Sequence, residues 1–312
     1  MAINRKFFKG AIQLADPKIW AMSYIPATIG ITLAIIYGKA KIGLSDIVWI
    51  LLMYAALGLI ETGKNALNEY VDFRSGVDPG VDKEHVTPFS GGKKTVTSGM
   101  LDLKQVVLIT IATFLGAGAI GLLIVIFKTP QIIYIGAAGI VISILYSMPP
   151  FKLCYRGWGE LAVGVTFGPL VLSGAYVMLT GEIAALPVLI SIPLGLLIAN
   201  ILLINEFPDY EADKQGNKRN LVVRAGKKNS TKIYGSVFIL IYLSYIVVSI
   251  YADNAVWLLP LLTVPLAWKA YRNSVENYGN IPLLIQSNAM TIQSFFLTGL
   301  LLLVAAFTLV FF

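Results

Sequence analysis

Nine stretches of this chain run for about a bilayer's thickness with few charges in them: 18–38, 46–67, 104–127, 131–149, 159–180, 184–206, 231–251, 254–271 and 290–311. A helix needs about 20 residues to cross the roughly 30 Å hydrocarbon layer. Within that layer every backbone N–H and C=O must be satisfied by the chain itself. The pattern predicts an all-α, polytopic membrane protein with nine transmembrane helices in one bundle, residues 1–312 forming a single domain. Pro260 and Pro265 make the eighth stretch the most interrupted. Only 13% of the residues are charged, against roughly a quarter in an average soluble domain, which excludes a soluble globular fold.

The basic residues fix an orientation. All 24 lysines and arginines except Lys39, Lys41, Lys128 and Lys64 fall in the N-terminal segment or in the second, fourth, sixth and eighth connections. Cytoplasmic loops carry such an excess, so the N-terminus and the even loops are expected in the cytoplasm of a multi-pass cell-membrane protein. The formal charge of +7 is thereby read as topology and phospholipid contact, and no nucleic-acid partner is expected. The opening MAINRKFFKGAIQLADPKIW is basic and amphipathic. It lacks the apolar core and small-residue cleavage site of a signal peptide, so an interfacial helix is expected there. Cys154 is the single cysteine and His85 the single histidine, which argues against a disulfide framework, a cysteine metal site and histidine-based chemistry.

Two polar bursts interrupt the apolar pattern: NEYVDFRSGVD at 68–78 and NEFPDYEAD at 205–213. Asn68 and Asp72 are spaced i, i+4, one turn apart on one helix face. Asn205, Asp209 and Asp213 extend the same spacing over two turns. Each burst leads into a basic, glycine-containing loop on the predicted cytoplasmic side, which suggests a weak internal duplication. Oxygen ligands of this kind suit a hard cation, Mg²⁺ above all. Two such clusters facing each other can hold a diphosphate through bridging metal, with Arg74, Lys93, Lys94, Lys152, Arg156, Lys214, Lys218 and Arg219 nearby for phosphoryl oxygens. The plainer reading is that acids and amides at helix ends simply face water. Two bursts with the same core on the same side favour the functional one. Glu61, Lys64 and Asn65 precede the first burst. They either line the same cavity or pair with one another at i, i+3.

These motifs resemble those of the UbiA superfamily of intramembrane aromatic prenyltransferases, and the resemblance covers nearly the whole chain. The first motif is similar to the Asn-x-x-x-Asp-x-x-x-Gly-x-Asp form of the menaquinone branch, with Gly76 where other members have Asp, and Asp78 two residues later. The second is similar to Asn-x-x-x-Asp-x-x-x-Asp with a Gly, Lys and Leu tail, here Gly216, Lys218, Leu221 and Gly226. SGGKKTVTSGML and LYSMPPFKLCYRGWGELAVGVTFGPL resemble further segments of that branch. The resemblance implies Mg²⁺ held by Asp72, Asp209, Asp213 and Asp78, with Asn68 and Asn205 assisting. It implies a polyprenyl diphosphate held by Arg74, Lys94, Lys152 and Lys214. Tyr146, Phe167, Tyr176 and Trp158 are then candidates to line the prenyl and aromatic cavity. The implied acceptor is 1,4-dihydroxy-2-naphthoate. 4-Hydroxybenzoate, a porphyrin-type ring or a glycerol phosphate lipid is the alternative acceptor, and a cation-coupled transporter the alternative class.

Overall fold

Among the described residues of the computed structural model, 5–77 and 93–310, every regular element is helical. Helix α1 (Arg5–Ala15) is amphipathic and packs Gly10 and Leu14 inward. It leads through a 3₁₀ turn at Pro17–Trp20 into α2 (Ala21–Ile36). Next come α3 (Leu44–Arg74), α4 (Leu103–Phe127), α5 (Ile132–Ser147), α6 (Gly159–Val165) and α7 (Val171–Thr180). The chain continues with α8 (Ala185–Asn205), the short α9 (Tyr210–Gln215) and α10 (Leu221–Ala225), α11 (Lys227–Tyr251), α12 (Val264–Asn277) and α13 (Ile281–Thr308).

Among the described residues, seven helical runs are long and apolar enough to cross a membrane. Two of the nine expected stretches take other forms. The fourth is α5, an apolar helix of 16 residues, closed off by the Met148-Pro149-Pro150 sequence that follows. The eighth is a 3₁₀ segment, Ala255–Thr263, joined to α12. Pro260 supplies no backbone N–H within that segment, whereas Pro265 sits in the first turn of α12, where a missing N–H costs nothing. The fifth stretch is α6 and α7 joined by a single π-type turn, Thr166–Leu170, that contains Pro169.

Helix α3 packs along α4, α2 against α7, α11 against α8, and α13 against α2, α8 and α12. The main apolar core lies among α2, α7, α8, α11 and α13, with Leu172, Leu194, Tyr234, Phe295 and Leu302 fully buried. Small residues let the helices approach closely, as membrane packing requires. A Cβ on Gly195 of α8 would lie 2.2 Å from the Gly164 carbonyl oxygen, and one on Gly30 of α2 would lie 2.2 Å from the Leu172 carbonyl oxygen.

Candidate active site

At 1.5 Å per residue the 31 residues of α3 span roughly 46 Å, longer than the hydrocarbon layer. Its last turns carry Asn68 and Asp72. Asp72 is buried, and each of its oxygens is engaged. Oδ1 accepts from the Tyr155 hydroxyl at 2.6 Å, and Oδ2 accepts from Lys218 Nζ at 3.0 Å. The Tyr155 hydroxyl is 2.5 Å from Ser75 Oγ, three residues on from Asp72. Asn68 Nδ2 donates to Ser147 Oγ of α5 at 3.3 Å. Glu69, on another face, accepts from Thr95 Oγ1 and the Val96 N–H, both at 2.9 Å, and so ties the segment before α4 to α3.

The second motif differs from the expected continuous helix. Helix α8 ends at Asn205 and α9 begins at Tyr210. Pro208 disfavours helical geometry in the residue before it and withholds an N–H, so the ladder breaks between Asn205 and Asp209. Asp209 caps α9, and the Asp213 N–H donates to its carbonyl at 2.8 Å. Asn205 Oδ1 accepts from Asn288 Nδ2 of α13 at 2.8 Å. Asp213 Oδ2 accepts from Asn220 Nδ2 at 2.7 Å, while Asn220 Oδ1 caps α10 through the Val223 N–H.

Lys218 joins the two motifs. Its ammonium lies 3.0 Å from Asp72 and 3.6 Å from Asp213 Oδ1. Burial works against that charge, but Asp213 and Asp72 outweigh it and hold the ammonium well above its ordinary range. Burial pushes the Asp213 carboxyl up to about 7; Lys218 draws it down, while Asp209 and Asp72 push it up. Asp213 Oδ1 has no hydrogen bond although it is buried.

Both motifs face one cavity of about 800 Å³, within the usual range of roughly 300–1,000 Å³ for ligand pockets. Asn68, Asp72, Asn205, Asp209 and Asp213 all line it, as do Lys94, Lys218, Tyr146 and Phe167. Its remaining walls are largely apolar and come mainly from α2 to α8, with Ile12 of α1 and Ile292 of α13. Other expected residues lie elsewhere. Arg74 is exposed at the end of α3 and Lys214 is exposed on α9, its Nζ 5.9 Å from the Tyr210 ring centroid. Lys152 lies over the Tyr155 ring at 4.5 Å and borders a separate small hollow. Tyr176 is buried in the α2–α7–α8 core, and Trp158 is 55% exposed. Asp78 and His85 lie outside the described residues. Glu61 and Lys64 both pair, at 2.9 Å, and line the cavity. Tyr155 and Asn220 are contacts the sequence reading missed. Tyr155 is 83 positions from Asp72, and no local spacing signals that meeting.

The model of the UbiA prenyltransferase family matches residues 23–279 of the chain. The chain belongs to the UbiA prenyltransferase family. It is 29% identical over 299 residues to the 1,4-dihydroxy-2-naphthoate octaprenyltransferase of Bacillus subtilis (strain 168), covering 95% of this chain and 92% of that protein. The UbiA prenyltransferase domain-containing protein 1 of Xenopus tropicalis is 28% identical over 295 residues, covering 92% of this chain and 80% of that one. A UbiA homolog from Archaeoglobus fulgidus, solved bound to GPP and Mg²⁺, shares the fold with a TM-score of 0.69 at 16% identity, covering 97% of this chain and 100% of that chain.

As a UbiA prenyltransferase, this chain is an enzyme of the membrane, and the transporter alternative falls away. Its donor set suits Mg²⁺. Asp72, Asp209 and Asp213 are hard oxygen donors at one cavity mouth, Asp213 Oδ1 lacks a hydrogen bond, and Lys218 already supplies a positive charge between the motifs. Among the described residues no three acidic, cysteine or histidine side chains form a group that could hold a metal alone.

Proposed function

We propose that this UbiA enzyme transfers a polyprenyl group from its diphosphate to 1,4-dihydroxy-2-naphthoate in menaquinone biosynthesis, with loss of the acceptor's carboxylate as CO₂. The observation that carries this reading is the meeting of both Asp motifs and Lys218 at one largely apolar cavity. The names and coverage of the Bacillus subtilis and Escherichia coli relatives, the latter 26% identical over 269 residues, support the naphthoate acceptor. Another acceptor, such as 4-hydroxybenzoate, is the second reading, supported by the breadth of chemistry a shared fold carries.

Asp72, Asp209 and Asp213 would hold Mg²⁺ with its diphosphate, and Asn68 and Asn205 would orient that end of the cavity. Bound Mg²⁺ supplies Lewis-acid neutralisation of the leaving group. Lys218 and Lys94 add positive charge for phosphoryl oxygens. The C–O bond breaks, the diphosphate leaves with the bonding pair, and an allylic cation remains. Apolar walls keep water from that cation. Tyr146 presents an aromatic wall to it, whereas the Phe167 ring already carries the Lys64 ammonium at 4.9 Å. The electron-rich naphthalene ring then forms the new C–C bond, and the apolar tail stays in lipid. This reading takes residues 1–312 as one unit with nine crossings, the fourth through α5 and the eighth through the 3₁₀ segment and α12. It puts the N-terminus and the Asp motifs on the cytoplasmic face.

The test is product mass spectrometry with purified protein, geranylgeranyl diphosphate, Mg²⁺ and a panel of aromatic acceptors. Prenylated, decarboxylated naphthalenediol is the expected product. Turnover of 4-hydroxybenzoate alone would overturn the acceptor assignment.

A further inference from the structure

Lys64 and Glu61 stand inside the α3 span, one and two turns on the apolar side of Asn68. Ionisable groups at such positions are costly to insert and face the interior when they are retained. Both line the cavity, with Lys64 Nζ 2.9 Å from Glu61 Oε2 and 4.9 Å from the Phe167 ring centroid. Glu61 is 3% exposed. The other lining lysines, Lys18, Lys93, Lys94 and Lys218, belong to turns and loops. Lys93 is held by Asp16 at 2.5 Å and Lys218 by the Asp motifs. Lys64 precedes Asp72 by eight positions, about 12 Å along the axis at 1.5 Å per residue. That interval accommodates the allylic carbon, the ring carbon it bonds, and the carboxylate carried on or beside that carbon, with the fused ring off to the side. An allylic cation gains nothing from a neighbouring ammonium, so Lys64 does not serve the prenyl group.

We propose that Lys64 binds the carboxylate of an aromatic acid acceptor, with Glu61 and the Phe167 ring holding the ammonium in position. This assignment rests on the proposed acid acceptor and adds the residue that selects it. The contact belongs to the bound ground state, so it acts on acceptor affinity rather than on the chemical step. Glu61 keeps its ion pair with Lys64 whichever acceptor is bound, so the discrimination comes from the added contact alone: a hydrogen bond between an ammonium and a carboxylate is about twice as strong as one to a neutral ester oxygen.

The experiment measures equilibrium binding of 1,4-dihydroxy-2-naphthoate and of its methyl ester to the purified full-length protein. The wild type is expected to bind the acid at least about tenfold more tightly than the ester. Lys64→Met should erase that preference, Lys64→Arg should retain it, and affinity for geranylgeranyl diphosphate should stay within about twofold in both. A preference for the acid that survives in Lys64→Met overturns the proposal. So does equal binding of acid and ester by the wild type, a result that needs no variant to fold. An ion pair that only braces α3 would weaken acid and ester alike. Absence of any prenylated naphthalene product from the wild type would overturn the acceptor reading itself. Product formation with an unchanged acid preference in Lys64→Met would overturn only the role of Lys64.

Discussion

Asp72 is held at both oxygens: Tyr155 and Lys218 claim them from two different loops. Asp72→Ala and Asp209→Ala are each expected to lower prenyl transfer about a hundredfold or more with the fold intact, because each removes a carboxylate that would hold the Mg²⁺ neutralising the leaving group. Near-normal rates in both would remove the carboxylates from the site. Lys218 makes a different prediction. Removing one partner of a buried charge cluster leaves the others uncompensated. Lys218→Met should therefore lower the melting temperature by several degrees without Mg²⁺, and added Mg²⁺ should raise it more than in the wild type. An equal Mg²⁺ effect in both proteins would count against Lys218 as the cation between the motifs. Cys154 tests burial. Desolvation raises its thiol from an ordinary value near 9 to about 12, with Lys218 pulling the other way. The folded state holds this proton more tightly than the unfolded state, so the group adds stability below pH 9 that is lost as pH rises through 12. Maleimide should leave Cys154 unmodified at pH 8 in native protein and label it once in denaturant; fast native labelling would contradict the buried placement.

Helices position these residues by length and by close approach. Because α3 exceeds the hydrocarbon thickness, one continuous helix brings Glu61 and Lys64 into the apolar cavity and Asp72 to its mouth. Helix α5, with 16 residues, is shorter than α3 and α4 and lines the cavity through Ile132, Ile135, Gly136, Gly139 and Tyr146. On the other side α8 must lie close to α6, and Gly195 allows it. Gly195→Leu puts a side chain where 2.2 Å separates its Cβ from the Gly164 carbonyl oxygen. Overpacking of this kind costs about 1–3 kcal/mol or more. The variant should melt several degrees lower, and an unchanged melting temperature would show that α6 and α8 move apart freely.

For the whole molecule, the distribution of charge makes a prediction about orientation. With Cys154 replaced by alanine, a cysteine at Lys39 should react with a membrane-impermeant maleimide in intact cells, and one at Lys228 only after permeabilisation; the reverse pattern would invert the topology. The membrane class, the helical content and both Asn-Asp motifs were legible in the sequence, because hydropathy and i, i+4 spacing are local properties that each segment carries by itself. The pairing of Glu61 with Lys64 was legible for the same reason. Local spacing misread the second motif as one helix, since Pro208 acts on the backbone and not on the identity of the ligands. It also drew Arg74, Lys152 and Lys214 toward the site merely because they are near the motifs in the chain. Only the tertiary structure selected Lys218 and Tyr155, brought Asn288 to Asn205, and turned Tyr176 into the core. Those choices depend on how helices far apart in sequence pack around one cavity, and no single segment encodes the position of another.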